Sequence, residues 1–180
     1  MNRLHLLNCK ISEEDFKILE KYDSNESSLI YGEVCNEDLL KVLLKYINNE
    51  NNILDVGSGC GKLCIYLAIK MNIFVEGIEL LENRYKKSET LLENFNCYDK
   101  VNFINEDFNN LFFGQYDIIY CCNLVFSEKD NYNLYYKLEK EFFGLFILYD
   151  YNNLLAKYLV KKEKVKCSWN NSTEIFIFKK

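Results

Sequence analysis

Proline is absent from the 180-residue chain, and histidine (His5) and tryptophan (Trp169) occur once each. The missing proline goes with an abundance of Asn, Lys, Ile, Tyr and Phe, the mark of a base-composition bias rather than of a function. One histidine, with no C-x-x-C pair among Cys9, Cys35, Cys60, Cys64, Cys97, Cys121, Cys122 and Cys167, argues against a Cys/His zinc site, so no metal is expected. No apolar run nears the roughly 20 residues that cross a bilayer. The first ten residues carry a short apolar patch and no small-residue cleavage site. The expectation is a soluble intracellular protein, nuclear or cytoplasmic, with reduced cysteines packed as small apolar side chains. Positive charge is short as well: a formal net charge of −5 argues against coating nucleic acid through the overall field.

What is present is a core. Hydrophobic residues make up 49% of the chain, and no linker or repeat divides it, so residues 1–180 read as one domain. Residues 1–50 form a helical N-terminal region and a covering loop, with one helix over 11–22 and a second, capped by Asn36, running to about Asn48. From residue 51 strands and helices alternate. Strands are expected at 53–56, 73–79, 101–105, 116–121 and 142–148. The intervening helices are expected at 62–71, 82–95 and 128–140, the last capped by Ser127. A helix around 153–160 precedes strands at 164–169 and 174–178, joined by the polar turn Asn170-Asn171-Ser172-Thr173. Five strands separated by helix-length connections, then a hairpin, imply a doubly wound, Rossmann-like α/β fold. Its seven-stranded sheet is mostly parallel with an antiparallel C-terminal edge, and helices cover both faces.

In such a sheet a ligand lies beyond the carboxyl ends of the strands. The first strand-to-helix turn is Asp55-Val56-Gly57-Ser58-Gly59-Cys60-Gly61-Lys62. A dinucleotide fingerprint would need its third glycine at Lys62; the G-x-G-x-G spacing instead resembles the loop of class I S-adenosylmethionine-dependent methyltransferases. Glu79 closes the second strand, where a carboxylate can accept both hydroxyls of a ribose. Glu106-Asp107-Phe108 follows the third strand, at the position of the adenine edge in that class. The alternatives are a nicotinamide-binding domain, or glycines that only make a tight turn.

Three more segments narrow the resemblance: Tyr31-Gly32-Glu33-Val34, Asn123-Leu124-Val125-Phe126 and Ser168-Trp169. With the glycine loop, in this order over residues 29–178, they resemble the non-SET histone lysine methyltransferases named for disruption of telomeric silencing (the Dot family). That family methylates a lysine on the core of histone H3 in the nucleosome. The resemblance implies S-adenosyl-L-methionine as cofactor. Asp55, Gly57, Ser58, Gly59, Gly61 and Lys62 would surround it, with Glu33 over its methionine end, Glu79 on the ribose, and Asp107 and Phe108 on the adenine. It also implies Asn123 at the mouth of the reaction site, Tyr31 beside the methyl group, and Phe126 and Trp169 lining a narrow apolar channel for the lysine. Lys62 and Leu124-Val125 depart from the family's usual residues.

An aromatic channel suits the reaction, because desolvation favours the uncharged amine that must attack the methyl group. Read without the motif context, Phe126 and Trp169 are core residues and Asn123 caps a loop. The basic run Lys157, Lys161, Lys162, Lys164 and Lys166, with Lys179 and Lys180, is either a solvated face or a grip on DNA phosphates or acidic histone surface. Three functions stay open: a histone H3 lysine methyltransferase acting on nucleosomes; a class I methyltransferase acting on another protein, an RNA or a small molecule; and a degenerate cofactor-binding partner subunit.

Overall fold

The computed structural model describes residues 32, 34–48, 50–95 and 97–180. The helix expected over 11–22, with Cys9, Tyr31 and Glu33, lies outside them.

The central strands form because their residues are apolar on both faces. In β1 (Asn52–Val56) every residue from Ile53 to Val56 is buried, and the same holds throughout β4 (Ile118–Cys121) and β5 (Leu145–Leu148). With β2 (Phe74–Glu79), β3 (Val101–Asn105), β6 (Leu159–Val165) and β7 (Thr173–Lys179) they make one seven-stranded sheet, ordered β3-β2-β1-β4-β5-β7-β6. The pairs among β1 to β5 are parallel, and β7 runs antiparallel to both its neighbours. Successive residues point to opposite faces, so Ile53, Ile118, Leu145 and Ile147 join one core. Leu54, Ile119, Phe146 and Leu148 join the other.

The helices follow from their ends. Gly61 takes the left-handed conformation (φ +74°) just before α2 (Lys62–Met71), and Asn72 takes it (φ +55°) just after. Ser127 caps α4 (Glu128–Glu141): its Oγ accepts from Asp130 N at 3.1 Å and bonds Asp130 Oδ2 at 2.7 Å. Between them lies α3 (Glu82–Phe95). Ahead of the sheet, α1 (Asn36–Leu43) buries Leu39, Val42 and Leu43 in the first core.

Five expectations are corrected. Asn36 does not cap α1: extended Cys35 does, and Asn36 is already helical and buried. The helix stops at Leu43, and a turn follows. β5 is shorter than expected because at Gly144 a Cβ would overlap the Asp117 carbonyl, a close crossing of backbones. No helix spans 153–160. A single 3₁₀ turn (Ala156–Tyr158) leads into β6, which ends at Val165 rather than beginning at Lys164. Val160, Lys161, Lys162 and Lys164 are all exposed on this edge strand, so the alternation that betrays a half-buried strand is missing. Lysines there also keep the open edge from pairing with another chain. Among the described residues no helix is long and apolar enough to cross a membrane.

Candidate functional site

Strand order reverses at β1, which has β2 on one side and β4 on the other. The crevice of a doubly wound sheet opens there. The connection from β1 to α2 turns back on itself through three left-handed glycines, Gly57 (φ +77°), Gly59 (φ +58°) and Gly61 (φ +74°). Gly57 N and Ser58 N both bond Ile78 O, at 2.9 and 3.1 Å, which ties the loop to the end of β2. At Gly61 a Cβ would overlap the Phe103 ring and come within 2.7 Å of Ser88 Cβ, so only glycine fits. Lys62 opens α2 directly behind the loop.

Glu79, buried at the end of β2, faces this loop. Its Oε2 accepts from Gly59 N at 2.8 Å and its Oε1 from Leu81 N at 2.9 Å. Each oxygen keeps a further acceptor direction. Asn105, at the end of β3, donates to the carbonyls of Glu79 and Leu80 at 2.8 and 3.1 Å and so fixes how the carboxylate leaves its strand. Asp107 caps the 3₁₀ turn Phe108–Asn110 through Oδ1, which takes Asn109 N at 2.9 Å and Asn109 Nδ2 at 2.8 Å; Oδ2 lies outside that cap. Phe108 stacks on Phe126 with centroids 6.0 Å apart and planes at 18°. Phe126 in turn lies over the loop, its ring 3.5 Å from where a Gly57 Cβ would stand. Loop, carboxylate and aromatic shelf thus face one crevice.

Asp55 and Ser58 sit beneath the loop rather than in the crevice. Asp55 is buried and accepts from the Cys64 thiol at 3.4 Å. Burial pushes its carboxyl up to about 7; the thiol bond pulls the other way, and the Glu79 charge adds to the rise. Ser58 turns its side chain down onto Gly77 of β2, and its Oγ has no hydrogen-bond partner. Asp55 therefore shapes the loop from below, and only the Ser58 backbone borders the crevice.

Asn123 is the clearest correction. It is fully buried, and its amide is spent inside the protein. Its Oδ1 accepts Tyr149 N at 3.0 Å and Asp150 N at 3.1 Å. Its Nδ2 faces Asn131 Oδ1 at 2.7 Å, Tyr135 Oη at 3.0 Å and Asp150 O at 3.0 Å. With no polar atom left over, Asn123 locks the ends of β4 and β5 together and presents nothing to an acceptor at the mouth of the reaction site.

Trp169 stands on the far side of β4, half exposed, with its ring 6.4 Å from that of Tyr149. A Cβ on Gly32 would overlap the same ring. The chain around Gly32 is held there by the bridge between Val34 and Cys167 and by Cys35 N on Lys166 O at 2.7 Å. Two segments some 130 residues apart in sequence therefore meet over the ends of β4 and β5. Phe126 packs on Phe108 and Trp169 on Tyr149, so the two expected channel walls are not in contact. The sequence reading missed Asn105 and Tyr149. Both stand at or just beyond a strand's carboxyl end, the one signal that marks them. Tyr149 Oη also meets Tyr120 Oη at 3.0 Å, a buried pair beside the β1 register position of Asp55.

Three lysines of the basic run are paired with acids. Lys157 meets Glu139 at 2.9 Å, Lys161 meets Glu163 at 3.1 Å and Lys162 meets Glu174 at 3.6 Å.

Residues 53–139 match the family model described as a methyltransferase domain. No curated protein is significantly similar in sequence. Among solved structures, an RNA methyltransferase from Salinibacter ruber in complex with S-adenosyl-L-homocysteine superposes with a TM-score of 0.66 at 14% identity, over 80% of this chain and 88% of that one. The PH0226 protein from Pyrococcus horikoshii OT3 gives 0.64 at 16% identity, over 79% and 88%. The cyclase SpnF gives 0.53 at 15% identity, over 61% of this chain and 43% of that one. At such identities the likeness establishes the fold, and the cyclase shows that the fold leaves the reaction to the site.

The described residues fit S-adenosylmethionine on three counts. Left-handed glycines present bare backbone at the crevice, Glu79 holds a fixed carboxylate beside them, and Phe108 offers a flat apolar face next to Asp107. Residues 53–139 match a methyltransferase-domain model, the fold is the Rossmann-like one of methyltransferases, and the crevice fits S-adenosylmethionine as cofactor.

Proposed function

We propose that the chain methylates a lysine side chain on a protein, and that its acceptor is the kind the Dot-family resemblance implies, a lysine on the core of histone H3 in the nucleosome. The observation that carries this reading is the meeting of Gly32 with Trp169. Gly32 and Val34 belong to one segment that distinguishes that family from other class I methyltransferases and Trp169 to another; the two are far apart in sequence, yet Gly32 meets Trp169 and Val34 bridges Cys167.

Bound S-adenosylmethionine supplies a methyl group on a positively charged sulfur, already activated for attack by an amine. The protein has to hold and align. Glu79 would accept the ribose hydroxyls while keeping Gly59 in place. Asp107 Oδ2 would take the adenine amino group, with the Phe108 ring against the base. Trp169, backed by the buried Tyr149, would give the lysine stem an apolar wall, and desolvation beside it favours the neutral amine. The substrate ammonium would give its proton to solvent before entering, and the methylated product would leave as a cation that aromatic faces also hold. Lys164 and Lys166, exposed beside Cys167, would meet DNA phosphates or acidic histone surface.

The test is transfer of labelled methyl from S-adenosylmethionine to recombinant nucleosomes, free histone octamers, total RNA and buffer in parallel. Label on histone H3 in nucleosomes alone supports the proposal. Label on RNA or on no acceptor, with the cofactor still bound, leaves the domain standing and removes the lysine acceptor. Failure to bind the cofactor would instead point to the partner-subunit reading.

A further inference from the structure

The outer face of α4 carries a row of side chains that the fold does not use. Lys129, Tyr132, Tyr136 and Lys140 recur at steps of three and four, so they form one stripe, and Phe143 continues it just past the helix end. The core-facing residues Leu134, Tyr135 and Leu138 lie on the opposite side. Tyr132, Tyr136 and Phe143 are exposed to 63%, 49% and 73%, more than aromatic side chains need be on a helix with no other partner. The Tyr132 and Tyr136 rings are near-parallel, at 17°, with centroids 6.4 Å apart.

Lysines are set among these rings. Lys140 Nζ is 5.9 Å from the Tyr136 centroid. Lys180 Nζ is 4.3 Å from that of Phe143 and 5.7 Å from that of Tyr158, and Lys157 Nζ is 4.9 Å from Tyr158. Rings and ammonium groups alternate from α4 onto the 156–158 turn and Lys180. Glu139 is engaged by Lys157 at 2.9 Å and Glu141 by Lys137 at 3.0 Å on the inner side, and Glu128 stands exposed at the start of the helix. Lys129 and Lys140 stand exposed on the stripe itself, while Lys157 is paired with Glu139 and Lys180 Nζ also bonds the Leu138 and Glu139 carbonyls.

We propose that the ridge binds single-stranded nucleic acid. Exposed rings give unpaired bases a stacking surface and the lysines neutralise phosphates, a combination that takes any sequence because every base has a flat face. A duplex hides its base faces and would leave the rings idle, and an apolar protein partner would bury the lysines without counter-charge. From Lys129 to Lys140 the stripe is about 17 Å long, room for about four nucleotides. It begins next to Ser127, one residue after Phe126, so a strand lying along it ends close to the crevice.

The test is fluorescence anisotropy of a labelled 12-mer oligouridylate and a 12-base-pair DNA duplex, titrated with the full chain at 50 and 200 mM salt. The variants are Tyr132→Ala with Tyr136→Ala, and Lys140→Glu, each checked for folding by thermal melting. We expect the oligouridylate to bind more tightly than the duplex. The tyrosine double variant should weaken it at least tenfold with the same salt dependence, and Lys140→Glu should weaken it at low salt and flatten that dependence. No binding by the wild type, tighter binding of the duplex, or an unchanged tyrosine variant would overturn the proposal.

Discussion

Replacing Asn123 by alanine should cost stability before it costs chemistry. The substitution strips an acceptor from two backbone N–H groups, Tyr149 N and Asp150 N, and a donor from Asn131 Oδ1, Tyr135 Oη and Asp150 O. A buried polar group left unpaired costs about 1–3 kcal/mol. Tyr149 N is buried and should bear that in full; Asp150 N is partly buried and can recruit water. With the small cavity added, the loss comes to about 3 kcal/mol. That is a large share of the roughly 5–15 kcal/mol that holds a domain together. At a urea m-value of about 2–3 kcal/mol/M, suited to a chain of this length, the midpoint should fall by roughly 1–1.5 M. Urea unfolding followed by far-UV circular dichroism reads this directly. The substitution Asn123→Asp should fare no better, because a carboxylate would face Asn131 Oδ1 and Asp150 O. A midpoint within about 0.3 M of the wild type, together with a collapse in turnover, would refute the reasoning and return Asn123 to the reaction site.

Asp55 should leave a signature in the pH dependence of stability. Its carboxyl stands at about 7 in the folded protein against 3.8 without the fold. The folded state therefore holds a proton that the unfolded chain releases, so this group's contribution falls as pH rises from about 4 to about 7 and is level above. Asp55→Asn should remove that slope and gain on the wild type at pH 8 in matched urea titrations; two parallel curves would contradict it. Gly61→Ala forces a Cβ into the Phe103 ring at a left-handed φ of +74°. Strain and overpacking together cost about 3 kcal/mol, so scanning calorimetry should show Tm lower by roughly 10 °C. Gly32→Ala pushes against Trp169 and should leave S-adenosylmethionine affinity intact while raising the acceptor KM. Equal losses in both would place Gly32 at the cofactor.

The sheet from β1 to β5 and its helices were legible because each element closes on local chemistry. Gly61 and Asn72 bracket α2, Ser127 caps α4, and β1 and β4 are apolar runs buried on both faces. β6 was read as part helix because its lysines reflect an edge strand's need to stay unpaired, which leaves no period in the sequence. Cys35 displaced Asn36 as the cap because Cys35 N is tied to Lys166 O, a partner 131 positions away. Asn123 shows the same limit at the site. A polar residue at a strand's end looks catalytic, and only the convergence of Asn131, Tyr135, Tyr149 and Asp150 reveals it as a lock. Glu79 was legible as an acid at the crevice, but its hold on Gly59 N was not, since the loop's path depends on the register of β1 with β2.

The most direct measurement is calorimetric titration of the purified chain with S-adenosylmethionine, beside Glu79→Gln. Glutamine keeps one acceptor oxygen and turns its NH2 toward either Gly59 N or Leu81 N, so one backbone tie is lost together with an acceptor for the ribose. The wild type should bind one cofactor per chain, and Glu79→Gln should bind at least tenfold more weakly while staying folded, its Tm lower by roughly 5 °C for the one backbone tie lost. No binding by the wild type, or equal binding by the variant, would contradict the assignment of this crevice as the cofactor site.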